Sequence, residues 1–282
     1  MEPERIFPAP PVMAAGSWLQ RACRAIFRER RLPTQLAIAR ERLWIALGRR
    51  CKVISAGELS FCVRRLQSDE FFIRDVVLDR EYNPAGYEIG ESDIVIDAGG
   101  SIGAFAVLAA RAARRGTVVS LEPTRDSFRL LGANLARNNC TSATAVQAAL
   151  VGTSGPVKIY LSRHSTGGHS VFADLAGQAE SYEMVDGLTL AEVFQRHQLT
   201  RCDFLKLDCE GAEFAILDSL PEDLAEQIGK IVVEYHVQPG EPKASQAERL
   251  LQRIDRLGFR VERYTDVVDT YWGTIYARRP AQ

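Results

Sequence analysis

The chain has 282 residues, 46% hydrophobic and 25% charged, with a formal net charge of −1, the profile of one large soluble α/β domain plus an extension. That balance gives no electrostatic case for nucleic acid as a partner, and no apolar run approaches the roughly 20 residues that span a bilayer. An acidic start (Glu2, Glu4) with no apolar segment behind it, and six scattered cysteines without a C-x-x-C pair, predict a cytoplasmic protein with reduced thiols rather than a zinc site or a disulfide frame.

Residues 1–16 are rich in Pro and Ala and read as loosely packed. Residues 17–52 read as helical with an interruption at Pro33, and carry ten basic residues against Glu29 and Glu41, a net charge of +8. Two readings fit this segment: an amphipathic helix pair lying on an anionic membrane or acidic glycan, or a helical cap whose arginines face solvent. The second is favoured, and 1–52 is taken as an extension preceding a domain over 53–282. Within that domain, Leu59–Arg64 and Phe71–Leu78 read as strands, and the turn-rich stretch 81–93 leads into the first core strand. Glu81 and Tyr82 sit in a loop that either folds back over a ligand or is an ordinary polar turn.

Residues 93–105, DIVIDAGGSIGAF, read as a buried strand, a glycine turn and the start of an alanine-rich helix over 102–114. A second strand, 117–121, ends on Glu122. This βαβ unit has glycines at its first turn and an acid closing its second strand, which is the geometry of a nucleotide-like site. The dinucleotide fingerprint G-x-G-x-x-G fails, because Ser101 and Ala104 stand where glycines are required. What stands here is D-x-G-x-x-x-G, with Asp97, Gly99 and Gly103. A carboxylate at Asp97 repels a pyrophosphate and attracts a cation such as the ammonium of a methionine moiety. The alternative is that Asp97 merely caps the helix.

A helix over 125–138 and a strand over 144–148 continue the alternation, which predicts a parallel, doubly wound sheet with its ligand at the carboxyl ends of the strands. Those ends carry Asp97, Glu122, Gln147 to Leu150, Asp208 and His236. A short strand at 157–161 precedes a polar glycine turn holding His164, Gly167, Gly168, His169 and Ser170; it suits a loop that shapes an acceptor pocket, or a plain hairpin. Residues 183–199 lead into a helix.

Residues 203–213, DFLKLDCEGAE, form a strand over 202–207 that places Lys206 and Asp208 on one face, with Glu210, Gly211 and Glu213 just beyond. Burial and like-charge coupling there would raise carboxylate pKa values, as a base working near neutral pH needs. Alternatively the acids complement a helix dipole. A helix over 213–227 and a strand over 230–237 ending in Glu234 and His236 follow. A helix over 244–257 and two closing strands complete the chain, the last pair forming a hairpin at the sheet edge.

Taken together, DIVIDAGGSIGAF, SLEPTRDSFRLLGANLARNN, AALVGTSGPVKIYL, STGGHSV, DFLKLDCEGAEFAIL and IVVEYHV resemble the FkbM family of S-adenosylmethionine-dependent methyltransferases. The resemblance covers about residues 70–278. It implies a seven-stranded, mostly parallel Rossmann-like sheet with helices on both faces, and methyl transfer to a hydroxyl of a saccharide or other small-molecule acceptor. It assigns Asp97, Gly99, Gly100, Gly103, Glu122 and Ala149 to S-adenosylmethionine. Lys206, Asp208, Glu210 and His236 would form the catalytic rim, and Tyr82, His169, Glu213 and Glu234 would meet the acceptor. Three positions depart from the family pattern: Gly100 and Ser101 replace Ala-Asn, and Ala191 replaces an Asp.

The sulfonium makes the methyl group electrophilic, so the protein must supply position above all. Asp208 is the first choice of base and His236 the second. A divalent metal on Asp208 and nearby acids ranks lower, because no His/Asp spacing marks a metal site, and none is assigned. The rivals are an inactive S-adenosylmethionine-binding scaffold and, disfavoured by the glycine spacing, a dinucleotide oxidoreductase.

Overall fold

The computed structural model describes residues 35–162, 165–238, 240, 242–265 and 272–280. Helix α1 (Gln35–Ala46) stops before Gly48, which takes a left-handed φ of 79°. Strands β1 (Cys51–Ala56) and β2 (Leu59–Arg64) then pair as a hairpin. The helical reading of 17–52 therefore ends early: Cys51 and Lys52 already belong to β1, and its first half lies outside the described residues. No described helix is long and apolar enough to cross a membrane.

The strand expected over 71–78 is instead helical. Helix α2 (Asp69–Ile73) runs into a π-helical turn, Arg74–Leu78. The buried positions are Ile73, Val76 and Val77, the i, i+3, i+4 spacing of a helix face. The β-branched composition of the stretch conceals that period.

The alternation from residue 94 onward is as expected. Strand β3 (Ile94–Ala98), helix α3 (Ala104–Ala112), strand β4 (Thr117–Leu121), helix α4 (Arg125–Arg137) and strand β5 (Ala143–Val146) follow in order. Strands β6 (Ala149–Leu150), β7 (Gly155–Tyr160) and β8 (Tyr182–Leu188) form a separate three-stranded sheet. Sequence reading missed β8, because Tyr182 and Met184 lie on its exposed face and break the apolar–polar alternation. Helix α5 (Leu190–Arg196) starts at a Thr189/Glu192 capping box. Strand β9 (Cys202–Asp208) leads to α6 (Glu213–Ser219) and α7 (Glu222–Ala225). The single helix expected over 213–227 is broken because Pro221 forces Leu220 into an extended conformation. Strand β10 (Ile228–His236), helix α8 (Lys243–Arg256), and the edge hairpin β11 (Arg260–Tyr264) and β12 (Trp272–Arg278) complete the fold.

The main sheet has seven strands in the order β11-β12-β10-β9-β3-β4-β5. All pairings from β10 to β5 are parallel, and β12 runs antiparallel to both neighbours. Successive residues of each strand enter opposite cores. Val95, Val118, Phe204 and Val232 pack under α3, α4 and the β1–β2 hairpin. Ile96, Val119, Leu205 and Val233 pack against residues of α5, α6 and α8. Chain order reverses direction between β3 and β9, and a crevice opens there at the carboxyl ends.

Candidate functional site

The crevice is a cleft of about 320 Å³, lined by the ends of β3, β4, β9 and β10, the π-helical turn and the loop 165–171. Its first wall is the β3–α3 turn. Gly99 (φ 79°) lies against β9 so closely that a Cβ there would stand 1.7 Å from the Asp208 carbonyl oxygen. At Gly100 a Cβ would meet Ser120 Oγ at 2.3 Å. The amides of Gly99 and Gly100 both donate to the Leu121 carbonyl, at 3.0 and 2.8 Å, tying the turn to the end of β4.

Glu122 completes this wall. One carboxylate oxygen accepts the Ser101 amide at 2.9 Å; the other accepts the Thr124 amide at 2.9 Å and the Thr124 hydroxyl. Burial pushes its pKa up to about 7 despite these donors. Ala149 lines the same wall. Gly103 (φ 88°) is the N-cap of α3, packed on Leu131, and lies outside the cleft lining.

Asp97 also lies beneath the turn rather than in the cleft. It is fully buried, accepts the Ser120 hydroxyl at 2.7 Å and pairs with Lys206 Nζ at 3.2 Å. It caps no helix. The ammonium of Lys206 is held by Asp97, by Asp208 at 3.6 Å and by the carbonyls of Ala98 and Gly99 at 3.3 and 2.9 Å. Burial opposes its charge, but Asp97 and Asp208 prevail and hold its pKa above the ordinary lysine value. Lys206 thus clamps β3 to β9.

The second wall is acidic. Register makes Glu234 the parallel partner of Asp208. The Tyr82 hydroxyl reaches both, at 2.9 Å to Asp208 and 2.8 Å to Glu234, so the loop 79–93 does fold back over the cleft. Glu210 takes a left-handed φ of 50° and approaches His236 Nε2 at 3.3 Å. Burial raises its pKa to about 8. Burial, with Asp208 and Glu81 nearby, also holds Glu234 well above the carboxylate range. His236 is pushed the other way by burial, yet Glu210, Glu213 and Glu234 together hold it well above an ordinary histidine.

Glu213 does not face the cleft. It is fully buried, accepts the amides of Cys209 at 2.7 Å and Gly211 at 3.0 Å, and sits 3.3 Å from His236 Nδ1. It braces the turn after β9 rather than meeting an acceptor. His236 lies behind Glu210 and Glu234, outside the lining. His169 does line the cleft; its Nδ1 accepts the Ser162 amide at 3.0 Å, and burial holds its pKa below the ordinary value. His164 lies outside the described residues.

A third wall joins the glycine turn at Gly167, expected from sequence, to Phe72, Asp75, Val76, Thr166 and Trp272, which sequence reading missed. Thr166 donates to the fully buried Asp69 at 2.8 Å, which Arg64 also grips, while Ser170 donates to the Glu210 carbonyl. The helical period at 73–77 was the signal that would have placed it. Among the described residues, Asp208, Glu234 and His236 bring one donor atom each to within 4.8 Å of the others, close enough to hold a metal ion. Spacing could not reveal this, because the three come from two strands.

Residues 97–261 match the methyltransferase FkbM domain. The chain is 27% identical over 256 residues to the AMB antimetabolite synthetase AmbE of Pseudomonas aeruginosa, covering 76% of this chain but only 12% of that protein. It is 25% identical over 182 residues to Methyltransferase 1 of Beauveria bassiana, covering 58% of this chain and 72% of the other. Among solved structures, the methyltransferase FkbM of Methylobacillus flagellatus KT is similar at a TM-score of 0.46 and 15% identity, over 69% of this chain and 46% of that one.

Proposed function

The chain belongs to the methyltransferase FkbM domain family, and from that premise we propose that it transfers a methyl group from S-adenosylmethionine to a hydroxyl oxygen of a small-molecule or glycan acceptor. The observation that carries this reading is the contact of Gly99 with Asp208. It joins the glycine turn to the acidic rim, so a ligand seated on the first wall ends at the carboxylates of the second.

The cleft fits the cofactor. Gly99 and Gly100 let the turn pack flat on β9 and β4 with its backbone lining the cleft, Glu122 offers acceptor oxygens to ribose hydroxyls, and the acidic lining suits a sulfonium and an ammonium. Asp97, held beneath the turn by its ion pair with Lys206 and by the Ser120 hydroxyl, is a positioning residue rather than the ammonium's partner. Bound there, S-adenosylmethionine supplies the electrophilic methyl group. Asp208 faces the cleft with its side chain 21% exposed, and accepts the acceptor's hydroxyl proton as the new C–O bond forms and the C–S bond gives its pair to sulfur. His236 is not the base, because carboxylates stand against both its ring nitrogens. Lys206 and Tyr82 hold Asp208 in place.

Titration calorimetry with S-adenosylhomocysteine tests the first half of the reading. We expect micromolar binding to the parent, weakened about tenfold in Glu122→Gln by loss of hydrogen bonds to a charged acceptor. Labelled methyl transfer to hydroxylated acceptors, with the O-methyl product read by mass spectrometry, tests the second. Absence of any binding to the parent would sink the proposal.

A further inference from the structure

The second wall holds a donor set that proton transfer alone does not explain. Asp208 and Glu234 are register partners on β9 and β10, and His236, two residues further along β10, returns to the same face. One donor atom of each lies within 4.8 Å of the other two. The imidazole is oriented from outside this set: its Nδ1 stands 3.3 Å from Glu213, which is itself fixed by the amides of Cys209 and Gly211. That leaves Nε2 directed to Glu210 and Glu234, at 3.3 and 3.8 Å. Metal-ligating histidines are held in this way, with one ring nitrogen on a buried carboxylate and the other turned to the ion.

The charges point in the same direction. Asp208, Glu210 and Glu234 converge here, while the ammonium of Lys206 is already shared among Asp97, Asp208 and two carbonyls. The Tyr82 hydroxyl has one proton for contacts of 2.9 and 2.8 Å to two carboxyl groups. Three carboxylates, Glu210, Glu213 and Glu234, stand against the single imidazole of His236, with Asp208 beside them, and a divalent ion taking the place of its Nε2 proton would bring these carboxylates a second positive charge.

We propose that Asp208, Glu234 and His236 bind a divalent cation of the Mn²⁺/Mg²⁺ class, which takes an oxygen of the acceptor as a further ligand. Two carboxylates and one imidazole, with Glu210 in reach as a fourth donor, form the oxygen-rich set such ions prefer. The proposal rests on the methyl-transfer reading of the same cleft. Asp208 bound through one oxygen keeps the other for the hydroxyl proton, while the cation lowers the hydroxyl's pKa and fixes its position.

The test uses the full chain, freed of metal with a chelator, without cofactor or acceptor. Mn²⁺ binding is read by calorimetry and by electron paramagnetic resonance. We expect one saturable site per chain, weakened at least about tenfold in Glu234→Gln and His236→Ala, about tenfold in Glu213→Gln, and unchanged in the surface control Glu58→Gln. Circular dichroism and thermal melts verify folding, and Glu234→Gln carries the test should His236→Ala not fold. No saturable binding by the parent, or binding that none of the three site variants weakens, overturns the proposal. S-adenosylhomocysteine binding and methyl transfer measured with chelator present separate the two readings: methyl transfer without a Mn²⁺ site removes only the cation, and a Mn²⁺ site without methyl transfer removes only the proposed reaction.

Discussion

The two main walls of the cleft are built by different means. The wall at β3 and β4 is made of turn backbone, close-packed glycines and one carboxylate, all from residues 97–124, with Ala149 added at its edge. The wall at β9 and β10 is made of side chains from three distant segments, at Tyr82, at 206–210 and at Glu234, with Glu213 and His236 behind it. The first leaves little freedom: its amides are bonded and its Cβ space is filled. The second crowds like charges, and burial raises the pKa of Glu210 and Glu234. Such a division suits a site that must hold one ligand in a fixed place and remove a proton from another.

The largest expected effect comes from pushing the walls apart. Gly99→Ala would force a Cβ to within 1.7 Å of the Asp208 carbonyl at a φ of 79°, so it should cost about 4 kcal/mol or more in urea unfolding; a variant as stable as the parent would show that the walls do not touch. Next comes the clamp between them. Lys206→Met leaves Asp97 charged and buried, an expected loss of about 3–5 kcal/mol. The double variant with Asp97→Asn should recover much of it in a double-mutant cycle. If the two changes simply add, the pair is not the clamp.

Asp208→Asn should lower kcat by about 10²–10⁴ while S-adenosylhomocysteine affinity, measured by calorimetry, stays within about twofold. A loss confined to affinity would move Asp208 from the second wall to the first. The Glu122 carboxyl, held at about 7 by burial, should give the first wall its own pH dependence. Hydroxyl donors favour the ionised form, so S-adenosylhomocysteine affinity should rise about tenfold from pH 6 to 8 as the proton leaves, and Glu122→Gln should flatten the profile. An unchanged slope in the variant would assign the titration elsewhere. The smallest effect tests glycine by location. Gly132, within α4 with open space around its Cβ direction, should gain about 0.5–1 kcal/mol on replacement by alanine, seen as a raised melting temperature.

Much of the first wall was legible because it is contiguous. Asp97 to Gly103 and Glu122 are placed by one strand, one turn and the next strand, and the alternation in VVSL and FLKLD names the face of each residue. Elements were misread where local preference and tertiary context disagree. Val76 and Val77 suggest a strand, but burial of Ile73, Val76 and Val77 on one side makes the segment helical. Pro221 cuts a helix that apolar periodicity alone would run through. Asp97 and Glu213 were identified as charged groups near the site, yet both turn inward, one to Lys206 and the other to backbone amides.

From sequence alone came the parallel sheet, the end of it that carries the chemistry, and the candidates Glu122, Asp208, Glu210, Glu234 and His236, because periodicity and turn chemistry act over a few residues. Tertiary structure alone decided the partners: Tyr82 between Asp208 and Glu234, Lys206 between Asp97 and Asp208, and His236 within reach of three carboxylates. These follow from strand register and from the reversal of chain order between β3 and β9. Both are set by how whole faces pack, and no local run of residues encodes them.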